Sequence, residues 1–260
     1  MTQPPKLIGA VERALTILEL FSADAPELGI TEIAAATGLH KSTVAGLVHT
    51  LAARGYLVQN SANRKYRLGL KLVERAASVL DSLDLRQAAQ PVLRELRDAF
   101  DETVNLAVLD DGQIVYVECL LGSKGLGMQS KVGQRGLFHS TALGKAIFAH
   151  CPSAEVETHI ARCGLRRMTG RTVTEPAAFH RQLAEVRQLG YALDDEENEE
   201  GGRCIAAPIF DHTGRPVAAV SVSMPALRLP YEAVPQVGAR VRAAALAISA
   251  SLGYAPAPRH

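Results

Sequence analysis

ITEIAAATGLHKSTVAGLVHTLAAR, residues Ile30 to Arg54, reads as two helices joined by a tight turn at Gly38. In the first helix Thr31 is the expected N-cap, Ile33 and Ala36 are expected to point inward, and Ala34 is small enough to let a second helix approach closely. In the second, Val44, Leu47, Val48 and Leu51 recur at helical spacing behind Leu39 and form a buried stripe. Lys41, Ser42, Thr43, Ala45 and His49 fall on the opposite face, and Gly55 closes the helix as the residue just past its end. Two short helices with a polar leading turn on the second make a helix-turn-helix, whose second helix enters a major groove. Double-stranded DNA is therefore the expected ligand of this segment.

Downstream, GYLVQNSANRKYRLG (Gly55 to Gly69) sets two β-rich runs on either side of Asn60 to Asn63, a hairpin placed where a wing would follow the helices. Arg64, Lys65 and Arg67 put positive charge on its turn and second strand, suited to sequence-independent contact with phosphate. A solvated charged hairpin would read the same in isolation, and adjacency to the two helices favours the wing. Residues 1 to 75 hold nine Lys or Arg against six Asp or Glu, a balance of +3. That leaves nineteen bases and twenty-one acids, a balance of −2, for the rest of a chain whose net charge is +1. A basic N-terminal part on a slightly acidic remainder separates a nucleic-acid surface from some other activity.

With 260 residues, the chain has room for a second domain after the wing. It has neither a signal-peptide pattern nor an apolar run of the roughly 20 residues that span a bilayer, so a cytoplasmic protein with no membrane partner is expected. Its four cysteines, Cys119, Cys151, Cys163 and Cys204, lie far apart, which argues against a structural zinc site or a redox pair and makes reduced thiols the expectation. From Leu70 to Leu83 apolar residues recur at helical spacing, as in a linker helix, up to an expected break at Asp84. A further stripe follows through Val92, Leu93, Leu96 and Phe100.

Beyond it, strands are expected at Thr103–Leu109, Gln113–Leu121, Leu126–Val132, Tyr191–Asp194, Arg203–Phe210 and Val217–Met224. Helices are expected near Ala142–Ala149, Ala154–Cys163, Glu175–Leu189 (capped by Thr174 and ended by Gly190) and Tyr231–Leu252. Short antiparallel strands with helices set to the sides give an α+β sensor-like fold.

AVERALTILELF (Ala10 to Phe21), the two-helix unit, YRLG (Tyr66 to Gly69), HSTALGKA (His139 to Ala146), GYALDDEENEEGGRCIAAPIFD and SVSMP, in this order, resemble an IclR-type transcriptional regulator from about Leu7 to Gly253. The resemblance implies an α+β chain with an N-terminal winged helix-turn-helix DNA-binding domain (1–70), a linker helix (71–84), a GAF/PAS-like effector-binding and oligomerisation domain (85–254) and a flexible tail (255–260). It implies a homodimer or dimer of dimers on an operator, a repressor of a catabolic or metabolic operon, and a small organic acid as effector. Carried over residue by residue, the family's effector contacts fall on the loop amides of Ala142 and Leu143, on Asp194, on Cys204, and on the hydroxyls of Ser221 and Ser223; Met128 is added as an apolar wall.

The residues speak to the same chemistry. A small-residue loop leading into a helix offers backbone N–H groups to an anion. Serines two apart on a strand share a sheet face, although a half-exposed strand whose serines face water would show the same spacing. Cys204 could equally be a small buried hydrophobe. The acidic run Asp194 to Glu200 cannot converge on one cation, so Asp194 alone is placed near a ligand and no metal or cofactor is expected. His139, Ser140 and Lys145 lie within seven residues, yet HSTALGK matches neither a phosphate loop nor an S-x-x-K nucleophile, and a sensor is favoured over an enzyme. Two other classes remain, a winged-helix protein-interaction module and a small-molecule enzyme with an appended DNA-binding domain. One departure from many relatives is Gly46, where an Arg is frequent; it removes a DNA contact and weakens the second helix.

Overall fold

The computed structural model describes residues 7–22, 24–81, 84–124 and 128–255, and divides the chain into two compact units, 1–82 and 83–260. The first unit contains α1 (Gly9–Glu19), α2 (Ile30–Thr37), α3 (Lys41–Ala53), a two-stranded sheet of β1 (Leu57–Gln59) and β2 (Tyr66–Leu68), and α4 (Lys71–Asp81).

Ile17, Phe21, Ile33, Ala34, Val44, Val48 and Leu57 form the core of this unit. The inward face of α2 is Ile30, Ile33, Ala34 and Thr37, an i, i+3, i+4, i+7 stripe, so Ala36, expected inside, is exposed one hundred degrees away. The expected Thr31 cap is also displaced: Gly29 is the extended N-cap residue, and its N–H donates to Glu32 Oε2 at 2.6 Å. Gly38 turns the chain at φ 69°, a left-handed conformation that only a residue without Cβ adopts freely. After α3, Gly55 N donates to the Ala52 carbonyl and Tyr56 N to the Leu51 carbonyl, so a Schellman motif ends the helix and aims the chain into β1. Antiparallel pairing of Leu57 with Leu68 and Gln59 with Tyr66 makes the wing, and Leu28 bridges to Tyr66 as a third short rung.

The second unit is built on a six-stranded, wholly antiparallel sheet. Its elements are α5 (Asp84–Phe100), β3 (Thr103–Asp110), β4 (Gln113–Leu120), β5 (Arg135–Gly136), α6 (Ala142–Phe148), α7 (Ser153–Cys163), α8 (Pro176–Leu189), β6 (Ala192–Asp195), β7 (Gly202–Phe210), β8 (Pro216–Pro225) and α9 (Val234–Ser251). The strand order is β5-β4-β3-β8-β7-β6. Helices α5 and α9 pack on one face, against β3, β4, β7 and β8, while α6 covers the other with α8 behind it. Strand alternation assigns the faces. Ala107, Ala206 and Ala219 join Phe138, Phe148, Phe179 and Leu183 in the core under α6, whereas their neighbours Ile205, Val220 and Val222 face the other way and are equally buried.

Several expected boundaries shift, each for a local reason. Leu126 lies outside the described residues, and 128–132 is irregular rather than a strand. The rung that pairs with β4 comes later, with Ile114 opposite Gly136. Pro176 opens α8 and holds Glu175 extended as its N-cap, which makes Glu175, not Thr174, the last residue before the helix. The helix expected from Tyr231 begins as a 3-10 turn and becomes α9 only at Val234. Asp84 starts α5 instead of breaking a helix, and residues 82–83, like the tail after Ala255, lie outside the described residues. No helix among the described residues is long and apolar enough to cross a membrane.

Candidate functional site

In the first unit the candidate surface is the outward face of α3 and the wing. Lys41, Ser42, Thr43 and His49 are exposed and Ala45 is half-buried, while Val44 and Val48 from the same helix are fully buried. The alternation expected from the sequence is thus realised: the polar leading turn of α3 faces outward and the apolar stripe holds it in place. His40, which the sequence reading passed over, is the N-cap of α3. Its Nδ1 lies 2.7 Å from Ser42 Oγ and accepts from Ser42 N at 3.4 Å, fixing the side chain of one candidate contact. The three wing cations differ. Arg64 and Arg67 are exposed, but Lys65 Nζ is paired with Glu32 at 2.8 Å, so its charge is shared with the cap of α2. Glu27 is a second unforeseen contributor. It accepts from Asn60 Nδ2 at 3.0 Å and Asn63 Nδ2 at 2.7 Å, which ties down the wing turn and lowers the pKa of its own carboxyl.

In the second unit a small cavity of about 70 Å³ lies over the α6 face of the sheet. Its walls include Met128, Asp194, Cys204 and Ser223, with Tyr116, Thr141 and Asn198. Strand register brings these together: β8 sets Ser223 opposite Cys204 and Thr103, and β7 sets Cys204 opposite Asp194. Ser221 is buried one rung away, opposite Asn105. Asn105 Nδ2 donates to both Ser221 Oγ and Ser223 Oγ at 3.3 Å. The Asn105 Oδ1 atom is buried with no partner among the described residues, so the ladder ends in an unused acceptor. Asn105 was missed in the sequence, although a lone amide inside TVNLAVL is the kind of residue that must find a polar neighbour once buried.

The side chains of Ala142 and Leu143 enter the core instead of lining the cavity, and what they can present to it is backbone N–H. First-turn amides of a helix have no intrahelical acceptor. Gly144 N is satisfied by the capping Thr141 Oγ1 at 3.1 Å. A Cβ on Gly144 would lie 2.2 Å from the Phe138 carbonyl oxygen, so this glycine is what lets α6 dock so closely on the segment before it. Met128 is held in place through its backbone, whose carbonyl accepts from Thr103 Oγ1 at 2.6 Å.

Asp194 has 4% of its surface exposed. Its Oδ1 accepts from Glu197 N at 2.8 Å and Asn198 N at 3.2 Å. Burial outweighs these bonds and the nearby Lys145, and raises its pKa to about 7. Burial, reinforced by Asp194, likewise drives the Cys204 thiol far above its ordinary range and keeps it un-ionised at neutral pH. The remaining acids of the run diverge. Asp195 pairs with Arg203 and Arg171, Glu196 with Arg171, and Glu197 with Lys145, while Glu199 and Glu200 are exposed. No group of three or more potential metal-ligating side chains converges among the described residues. The HSTALGK side chains also disperse: His139 Nε2 meets the Arg166 carbonyl at 2.9 Å, Ser140 Oγ donates to Asn198 Oδ1, and Lys145 is buried against Glu197.

Residues 10–61 match the IclR helix-turn-helix domain, and 77–250 match the bacterial transcriptional regulator IclR C-terminal domain. The chain belongs to the IclR family of transcriptional regulators. This IclR-family chain is 41% identical over 248 residues to the HTH-type transcriptional regulator XynR of Escherichia coli K12, covering 95% of this chain and 98% of that one. It is 32% identical over 248 residues to the transcriptional repressor IclR of the same organism, covering 95% and 90%. Among solved structures it resembles an IclR homologue from Microbacterium hydrocarbonoxydans complexed with 4-hydroxybenzoate, with a TM-score of 0.82 and 29% identity over 94% of this chain and 98% of that one.

Proposed function

We propose that the chain is a ligand-responsive repressor: residues 1–70 bind a two-fold symmetric operator as part of a homo-oligomer, 71–84 link, and 85–254 bind a small organic acid that changes DNA affinity. Lys41, Ser42, Thr43, Ala45 and His49 read the major groove, with Arg64, Arg67 and, less freely, Lys65 on phosphate. The acid sits between the Ala142 and Leu143 amides and Ser221 and Ser223, with Asp194 accepting a hydroxyl or hydrate donor and Met128 and Cys204 as walls. The protein acts in the cytoplasm without a catalytic step. The observation that carries this reading is the buried polar ladder of Asn105, Ser221 and Ser223, which reaches through Ser223 a cavity that Asp194 also lines. A repressor is named in one relative and an organic acid in the complex of another, which supports both halves. The neutral thiol of Cys204 and the dispersed His139, Ser140 and Lys145 favour binding over catalysis.

The test is operator binding by the full chain, with and without a panel of small organic acids that includes 4-hydroxybenzoate. One acid should change affinity by several-fold to about a hundredfold, the range of typical allosteric coupling. The S221A/S223A double variant should lose that response while keeping DNA binding. Absence of any responsive acid, or an unaltered response in the double variant, contradicts the proposal.

A further inference from the structure

A second concavity opens at the edge of the same sheet, beside β6 and α8. Its volume is about 400 Å³, within the usual range for small-molecule sites. Val186, Leu189, Tyr191, Leu193 and Val234 give it apolar walls. Its floor is polar and unusual. Lys145 is 1% exposed and donates to Glu197 Oε1 at 2.5 Å, and Gln182 Nε2 donates to the same oxygen at 3.1 Å. Both donors therefore converge on Oε1, while Glu197 Oε2 and Gln182 Oε1 are buried without a partner among the described residues. Two orphan acceptors on a pair of side chains bonded to each other are rare, because each has given up water without gaining a donor. Glu197 itself is 5% exposed, so its position is set by the fold rather than by solvent.

The charges around this floor favour a cation. Three carboxylates (Glu185, Asp195, Glu197) line the cleft against two cations, Lys145 and Arg171. Lys145 is committed to Glu197, Arg171 to Asp195 and Glu196, and Arg203 also to Asp195, which leaves Glu185 as the uncompensated charge. Glu185 is exposed and has no ion pair among the described residues. We propose that this cleft is a second small-molecule site that takes a compound with a primary ammonium head on an apolar body, the head donating to Glu197 Oε2 and Gln182 Oε1. An ammonium has three N–H donors and no acceptor, which matches two unfilled acceptors and excess negative charge; a carboxylate would face acceptors and fail. The site lies on the far side of the 194–198 turn from the effector cavity. Asp194 belongs to one and Glu197 to the other, and the Glu197 N–H to Asp194 Oδ1 bond joins them.

Calorimetric titration of the full chain with phenethylamine, 2-phenylethanol and 3-phenylpropionate tests it. Phenethylamine should bind saturably and at least tenfold more tightly than the alcohol or the acid. L189W, a substitution at a position already exposed at the mouth, should fill the cleft and weaken the amine at least tenfold with an unchanged melting temperature. E185Q should weaken it several-fold, and S221A/S223A should bind it as the parent does. Equal binding of amine and alcohol, or full affinity in L189W, overturns the proposal. Loss of amine binding in S221A/S223A overturns it too, by placing the amine in the effector cavity.

Discussion

Asp194 makes the sharpest demand at the level of single residues. Its pKa is raised by burial from 3.8 to about 7, so the folded chain holds more protons than the unfolded chain between those values. Stability must then fall as pH rises from about 4 to 7, and the penalty is complete above 7. A shift of that size corresponds to about 4 kcal/mol. Denaturant unfolding of D194N should show a flatter dependence across that window than the parent; an identical slope would mean Asp194 is not the titrating group. The same protonation should make an anionic effector bind more tightly as pH falls through 7, since neutral Asp194 repels no carboxylate, and D194N should bind with a weakened pH dependence. Gly144 offers a second test. A Cβ there would meet backbone at 2.2 Å, which no side-chain motion relieves, so G144A should lower stability by roughly 2 to 4 kcal/mol in urea unfolding, through strain of a buried close approach. Some of this was legible in advance. The hydroxyls of Ser221 and Ser223 could be placed on one face by counting in twos, but whether that face met water or protein depended on α6 packing over it, which no local pattern records.

Among elements, the proposed DNA-binding mode assigns sequence reading to α3 and backbone contact to the wing. R67A should weaken binding to all DNA sequences about equally and reduce the slope of log affinity against log salt by about one, whereas T43A should change preference among sites with little change in slope. K65A should act more weakly than R67A, because Lys65 is already shared with Glu32. Gly46 sits exposed in α3 with nothing within 4 Å of a would-be Cβ, so G46A should add about 1 kcal/mol to the stability of the N-terminal unit in thermal or denaturant unfolding, by removing glycine's backbone entropy from a helix interior. Helices with a long stripe, such as α3 and α9, could be read from periodicity because burial of one face dictates spacing. Their ends could not. The α2 cap is made by Glu32 reaching back to Gly29 and the start of α8 is set by Pro176, and both effects outweighed the Thr residues that propensity alone would choose. The region 128–132 failed for another reason: its side chains serve the cavity, with Met128 and Ser130 in its wall, rather than a strand ladder.

At the scale of the whole molecule, the proposed function requires that filling an acid-binding cavity in one unit alters DNA binding by the other. The family was legible because motifs from both units occur in one order along the sequence. The identity of the ligand was not, since the cavity walls come from Tyr116, Thr141, Asn198 and Ser223, drawn from four separate stretches of the chain. The most direct test is the affinity of the full chain for the DNA flanking its own gene, titrated with the acid panel in parallel for the parent and for S221A/S223A. One acid should shift the parent's dissociation constant several-fold to about a hundredfold and leave the double variant's unchanged. Tight DNA binding that no acid alters in either protein would contradict it.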